Sequence, residues 1–238
     1  MSAGDCSNAS CLSLPPVPEW PLLAGYLEAH SLPLLSAVQI EQLAHYQRLL
    51  TVANQQFNLT HLLTDQEFLT GHCLDTLLLW QLLGSLPAPP GHYLDLGSGA
   101  GIPGLLIASW SGWPATLIDR NQKRCRFLRW VSQQLKLSQL QVSNQPVESY
   151  CLAPAADQQP LLITARALAK PKAMAALLTD LVVRSATDAQ IYFAQQLSVA
   201  DWQQFPAPTS WQLYDSQHYS LAGSERVVTL WGLGGDAR

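Results

Sequence analysis

The sequence predicts an open, mostly parallel α/β sheet that binds a nucleoside cofactor, preceded by a helical cap. Three observations carry this. A short apolar run (Tyr93, Leu94, Leu96) breaks into Gly97, Gly99 and Gly101, and Pro103 then opens a helical run, Leu105 to Ala108. Strand, glycine turn and helix together let a nucleoside cofactor lie on bare backbone at a helix N-terminus. From His92 onward, strand-length and helix-length runs alternate, as in a parallel sheet with helices on both faces. Before Pro87 the periodicity is helical.

In chain order, residues 1–19 are Ser-, Asn- and Pro-rich and read as a loose tail, 20–88 as the cap and 89–238 as the sheet domain. Trp20 to His30 suits a short helix. Ser36 and Gln39 fit a capping box, and Ile40, Leu43, Ala44 and Leu50 recur at helical spacing to about Gln55. Thr64 and Glu67 start another helix, running to about Leu83, with Leu69, Cys73, Trp80 and Leu83 as one apolar stripe. His72 and Asp75 lie off that stripe at i and i+3, so both face one neighbour. They suit either an acceptor site or a buried pair pinning the cap to the sheet. Pro87 to Gly91 is a linker. Strands are predicted at 92–96, 115–119, 140–142, 161–165 and 190–194, and helices at 103–109, 122–136 and 171–183. Two final strands, 211–214 and 226–231, are joined through His218 to Gly223 and run antiparallel.

Composition excludes several classes. At 48% hydrophobic and 13% charged, the 238 residues bury a real core. The longest apolar stretch, Leu77 to Leu86, is interrupted by Gln81 and too short to span a bilayer. No signal region follows Met1, so a cytoplasmic protein is expected. Five scattered cysteines without a C-x-x-C pair argue against a disulfide framework or a metal site. A net charge of −4 gives no global basic field for nucleic acid, but leaves room for a local basic face.

The loop itself discriminates between cofactors. Gly99 to Gly104 fits the dinucleotide fingerprint, yet Asp95 two residues before Gly97 opposes a pyrophosphate and suits a cation. S-adenosylmethionine carries such a cation. Asp119, some twenty residues after Gly99, is placed to accept both ribose hydroxyls. After Asp119 come Arg120, Lys123, Arg124, Arg126 and Arg129, five of the thirteen basic residues. These form either a solvated helix face or a phosphate-contacting patch. Arg166 ends the fourth strand, where reacting groups sit in open α/β sheets, unless it is a surface salt-bridge partner. No Asn/Asp-Pro-Pro-Tyr/Phe follows that strand, as adenine amino methylation favours, and no Cys, as pyrimidine carbon-5 methylation needs. Guanine N7 needs neither, because its lone pair is already a nucleophile and alignment supplies most of the catalysis.

At this point the residues resemble a known family. Asn58-Leu59-Thr60, His72 to Leu77, and Asp95 to Gly104 occur in the order and spacing of the bacterial 16S rRNA guanine-N7 methyltransferases, the glucose-inhibited division protein B family. Asp119, Lys123-Arg124, Phe127-Leu128, Val147-Glu148, Arg166-Ala167 and Glu225-Arg226 continue the match, which spans Ser36 to Leu233. The resemblance implies a class I S-adenosylmethionine-dependent methyltransferase fold, Rossmann-like, with a seven-stranded sheet whose last strand is antiparallel. It implies that Asp95, Gly97, Ser98, Gly99, Gly101, Pro103, Asp119, Val147, Glu148 and Arg166 hold S-adenosylmethionine. Arg166, Lys123, His72 and Asp75 would serve the transfer, and Asn58, Lys123, Arg124, Lys170 and Arg226 would bind substrate. Asn58 also suits a plain turn role.

The implied substrate is a guanine of the 530 loop in 16S rRNA, met by a monomer on the small subunit or a late precursor. Other acceptors, or a non-catalytic ribosome-assembly role, are the alternatives. Two positions depart from the family pattern: Pro146 replaces an Arg, and Gln195-Gln196 replaces Lys-Gly. Lys170 is expected to supply the phosphate contact missing at 195, the alternative being that it only solvates a helix start.

Overall fold

A computed structural model describes residues 14–18, 20, 23–32, 34–61, 64–152, 159–185, 189–206, 210–221 and 223–233. The predicted tail therefore falls largely outside the described residues. Within it, Leu14 packs on the core and Pro15 accepts a hydrogen bond from Arg48 Nε at 2.6 Å.

The cap consists of α1 (Leu23–Ala29), α2 (Ala37–Phe57), α3 (Asp65–Phe68), a π turn (Leu69–Cys73) and α4 (Leu74–Leu83). Both predicted capping boxes form. Ser36 Oγ accepts from Gln39 N, Thr64 Oγ1 from Glu67 N, and each partner side chain returns the bond. The predicted second cap helix is interrupted by the π turn, in which Leu74 N–H bonds five residues back to Leu69. One inserted residue rotates everything after it, so the predicted single stripe is wrong. α4 is instead buried on nearly every side, Asp75 and Thr76 included. An all-round buried helix lies inside a core, not on its surface.

The sheet comprises β1 (His92–Leu96), β2 (Ala115–Ile118), β3 (Leu140–Ser143), β4 (Leu161–Arg166), β5 (Ile191–Ser198), β6 (Trp211–Leu221) and β7 (Ser224–Leu233) in the order β3-β2-β1-β4-β5-β7-β6. The first five pair in parallel, while β7 runs antiparallel to β5 and β6. The crossovers carry α5 (Gly104–Ser111), α6 (Gln122–Gln134) and α7 (Pro171–Ser185), and the short α8 (Val199–Gln203), absent from the sequence reading, follows β5. This is the class I methyltransferase architecture.

β6 is longer than predicted, because residues 218–221 belong to the strand and not to a connection. It contains the polar run Asp215-Ser216-Gln217-His218, half-buried or exposed, and a bulge lies between Leu213 and Asp215. Both features erase the period-2 signal on which a strand reading depends.

One face of the sheet and the cap share a single apolar cluster, in which Leu43, Tyr46, Leu77 and Leu78 meet Tyr93, Leu105, Leu162 and Val228. Each fully buried side chain of this size contributes about 1.5–3 kcal/mol. Trp80 on α4 adds ring contacts to Trp110 and Trp113 at 6.2 and 5.8 Å, fastening the cap to the end of α5. The other face packs Leu94, Ile163 and Phe193 against Leu178 and Leu181 of α7.

Gly104 is closely approached by the Asp95 carboxylate. A Cβ there would lie 2.3 Å from Asp95 Oδ2, 2.6 Å from its Cγ and 2.7 Å from Leu117 Cδ2. Alanine gains about 1 kcal/mol in helix propensity over glycine, but this overlap is with a fixed carboxylate and costs more. Gly104→Ala should therefore lower stability by about 1–3 kcal/mol in urea denaturation.

Candidate functional site

The glycine loop uses backbone freedom that side-chain-bearing residues lack. Gly97 and Gly101 have φ of 69° and 93°, and a Cβ on Gly97 would meet Leu168 Cδ1 at 2.5 Å. Pro103 caps α5 from outside the helix instead of opening it as predicted, and its carbonyl accepts from Ile107 N at 3.0 Å. Asp119, at the end of β2, fixes the loop. Its Oδ2 accepts from Gly99 N at 2.9 Å and its Oδ1 from Asn121 N at 2.7 Å. Ser98 turns its hydroxyl inward, onto the Asp95 carbonyl at 3.0 Å.

Beside this loop lies an open cleft of about 590 Å³, beyond the C-terminal ends of β1, β2 and β4. Gly97 and Asp119 line it, with Val147 and Glu148 from a single 3₁₀ turn (Val147–Ser149) and Ala173, Ala176 and Leu177 from α7. Four of the residues predicted to hold the cofactor thus share one wall system. The cleft suits a nucleoside: apolar walls flank it, and an anchored carboxylate with spare acceptor capacity sits at its floor. Arg124 also lines it and lies 3.6 Å from Asp119 Oδ2.

Asp95 sits deeper. It is 1% exposed, and its Oδ1 accepts from Thr164 Oγ1 at 2.6 Å while its Oδ2 is buried with no hydrogen-bond partner. Tyr93 Oη lies 2.8 Å from Thr164 Oγ1, which completes a dry chain across β1 and β4. Burial raises the Asp95 carboxyl to about pH 6, although the Thr164 hydrogen bond opposes the rise. An orphaned buried carboxylate oxygen under the loop fits a cationic cofactor better than a pyrophosphate.

The second cluster joins the cap to the sheet. Asp75 is 0% exposed, and its Oδ2 is reached by Arg166 Nη2 at 3.1 Å and Arg226 Nη2 at 3.2 Å. Tyr219 Oη donates to Asp75 Oδ1 at 2.8 Å, and Gln196 Nε2 donates to the Asp75 carbonyl. Arg166 also donates to the Gly71 carbonyl in the π turn, at 2.6 Å, and lies 3.3 Å from His72 Nδ1. His72 Nε2 lies 3.0 Å from Thr60 Oγ1. Burial, with Arg166 beside it, lowers His72 to about 4, so the ring is neutral. His72 and Asp75 are both buried where the cap meets the sheet, and each lies beside Arg166. Asp75 is fully enclosed, its Oδ1 hydrogen-bonded to Tyr219 and its Oδ2 held by ion pairs alone. Arg166 is drawn to this cluster and does not line the cleft.

Asn58 is the left-handed C-cap of α2, with φ of 50°, as its turn role requires. Lys123 and Lys170 are exposed at the starts of α6 and α7. Gln195 is 2% exposed and pairs across the sheet with Ala165 and Thr229, so position 195 does not open onto the rim. Pro146 lines the cleft next to Val147. Among the described residues no group of three metal-ligating side chains occurs, and no helix is long and apolar enough to cross a membrane.

The family profile described as rRNA small subunit methyltransferase G (GidB) matches residues 39–219. The chain belongs to the GidB family. Ribosomal RNA small subunit methyltransferase G of Leuconostoc citreum is 32% identical over 82% of this chain and 83% of its own length. The Pseudomonas fluorescens and Chloroflexus aggregans proteins of that name are 37% and 34% identical, over 49% and 57% of this chain. Those two alignments span about half of each relative, 52% and 56%. Among solved structures, the methyltransferase domain of METTL16 aligns over 90% of this chain and 92% of that one, at 13% identity and a TM-score of 0.53. The putative methyltransferase yhhF of Escherichia coli aligns over 67% and 85%, at 16% identity and a TM-score of 0.52. These two share the fold with this GidB-family chain.

Sequence reasoning missed Thr164, Tyr219, Gln196 and the α7 wall. Thr164 was within reach, because it pairs with Asp95 in the parallel register of β1 and β4. Tyr219 was hidden by the polar run of β6.

Asp95 generates a pH prediction. Its folded pKa of about 6 lies above the ordinary 3.8, so the folded state holds the proton more firmly. Stability therefore falls as pH rises from about 4 to 6, and the ionised carboxylate remains a cost above that. Asp95→Asn should stabilise the cofactor-free protein by up to about 3 kcal/mol at pH 8, with the gain shrinking towards pH 4. Urea melts of both proteins across this range test it, and a pH-independent difference would contradict it.

Proposed function

We propose that this chain transfers a methyl group from S-adenosylmethionine to N7 of a guanine in 16S rRNA, the guanine of the 530 loop. It does so as a cytoplasmic monomer acting on the small subunit or a late precursor. The observation that carries the reading is the cleft: in a GidB-family chain, Gly97, Asp119, Val147 and Glu148 converge beside a buried acid. The net charge of −4 supports a large structured target over avid binding to naked RNA.

The chain's residues divide the work. Asp119 accepts the ribose hydroxyls while the amides of Gly99 and Asn121 hold it oriented. Val147 and the α7 wall flank the adenine. Asp95 supplies negative charge beneath the loop. S-adenosylmethionine held there would supply an electrophilic sulfonium methyl to the guanine N7 lone pair, its C–S electrons staying on sulfur, with no proton to be moved. No general base is therefore required, and alignment carries the rate. Lys123 and Lys170, exposed at two helix starts on the sheet's C-terminal side, meet RNA phosphates as point charges.

Purified protein, labelled S-adenosylmethionine and unmodified small subunits should yield 7-methylguanine at a single 16S position. Label appearing only elsewhere, or not at all, would sink the reading. In isothermal titration S-adenosylmethionine should bind and NADH should not. Asp119→Ala should weaken S-adenosylmethionine binding by about 1.5–3 kcal/mol, the scale of lost charge-assisted hydrogen bonds.

A further inference from the structure

The buried groups shared by β1 and β4 form a hydrogen-bond chain that can run in only one direction. Asp95 pairs with Thr164 in the parallel register, and Thr164 Oγ1 donates to Asp95 Oδ1 at 2.6 Å. A threonine hydroxyl carries one proton, so in the 2.8 Å contact with Tyr93 Oη the tyrosine donates. The chain from Tyr93 through Thr164 thus brings a donor to Oδ1 and nothing to Oδ2. That oxygen is buried without a hydrogen-bond partner, on the Gly104 side. α5, which starts at Gly104, carries no titratable side chain. The charges that face Asp95 are Asp119 from β2 and Arg166 from β4, while Tyr46 of α2 is turned to the Ala100 carbonyl. Burial holds the Asp95 carboxyl up at about 6; the Thr164 bond and Arg166 oppose the rise, and Asp119 adds to it. Ionised, Asp95 is a dry anion with one oxygen unsatisfied, which a nearby cation relieves and a neutral group does not.

We propose that Tyr93 and Thr164 are positioning residues that make Asp95 a reader of charge behind the glycine loop, favouring S-adenosylmethionine over S-adenosylhomocysteine, the thioether left after methyl transfer. This rests on the proposed function for the identity of the cofactor. Gly97 lines the cleft and Asp95 does not, so the acid acts through its field and not by contact. The two ligands share their nucleoside, amino and carboxylate groups and differ by one methyl and by the charge on sulfur. The sulfonium binds best to the ionised acid, so near the midpoint its binding sends a proton from Asp95 to solvent. The thioether gains nothing from that charge and binds either form of Asp95 alike. Spent cofactor therefore leaves without waiting for a proton, and fresh cofactor displaces it most readily above the midpoint.

Isothermal titration of the protein with each ligand across this pH range, without RNA, tests the proposal. Wild-type affinity for S-adenosylmethionine should fall about tenfold from pH 7 to pH 5, and that for S-adenosylhomocysteine by less than about twofold. At pH 6, buffers of different ionisation enthalpy should reveal about half a proton released per S-adenosylmethionine bound, and none with the thioether. Thr164→Val takes the donor from Oδ1. It should weaken S-adenosylmethionine about fivefold at pH 6 and not at pH 8, leave the thioether unchanged, and be rescued by Thr164→Ser. Tyr93→Phe should act in the same direction, by about twofold at pH 6. A folding defect would instead weaken both ligands at every pH. Parallel pH profiles for the two ligands, or a Thr164→Val loss shared by both, overturn the proposal and leave the cofactor assignment standing. If neither ligand binds, the proposed function and this inference fall together. If S-adenosylmethionine binds but small subunits gain no methyl group, only the acceptor assignment fails, and the titrations decide this inference by themselves.

Discussion

The Asp75 carboxylate is the constraint on which the arrangement of cap and sheet depends. A fully buried ion costs several kcal/mol unless it is paired and its lone pairs are satisfied. Asp75 finds its partners only by drawing in Arg166 from β4, Arg226 from β7 and Tyr219 from β6, while β5 supplies Gln196 to its backbone. Four strands thus converge on one residue of a cap helix. The π turn before α4 brings the Gly71 carbonyl to the Arg166 guanidinium. π turns of this sort concentrate at functional sites, and here the irregularity joins the cap to the end of the strand that carries Arg166.

Two acids near the glycine loop show how environment divides labour. Asp119 receives two backbone amides and faces the cleft. Asp95, four residues before Gly99, lies in a dry layer with one oxygen unsatisfied. Tyr46 adds a further tie, as its hydroxyl donates to the Ala100 carbonyl at 2.7 Å from within α2. The cap therefore touches the cofactor loop and the arginine cluster at once.

Much of this was legible in the residues. The strand-glycine-helix unit, both capping boxes and the five parallel strands follow from local rules, since turn chemistry and periodicity are encoded within a few positions. The cleft wall was legible because Gly97, Asp119 and Val147 each end or follow a strand. The arginine cluster around Asp75 was not. Asp75 read as a helix-face acid because a π turn leaves no compositional mark, and its partners lie 91 to 151 positions away in numbering. The extent of β6 was lost for a different reason: an edge strand with a polar run has no alternation to detect. Local chemistry was written in the sequence, whereas the pairing of distant charges needed the sheet order.

That distance in numbering bears on how the molecule comes into being. A polypeptide leaves the ribosome N-terminus first, and α4 emerges long before the hairpin of β6 and β7. The hydroxyl that completes the shell around Asp75 lies 144 residues downstream. Until it arrives, the cap holds an acid that docking would strip of water without compensation, so the early helices have reason to stay undocked. The final hairpin, although peripheral in the sheet, supplies the last partners of an acid that is synthesised early in the chain.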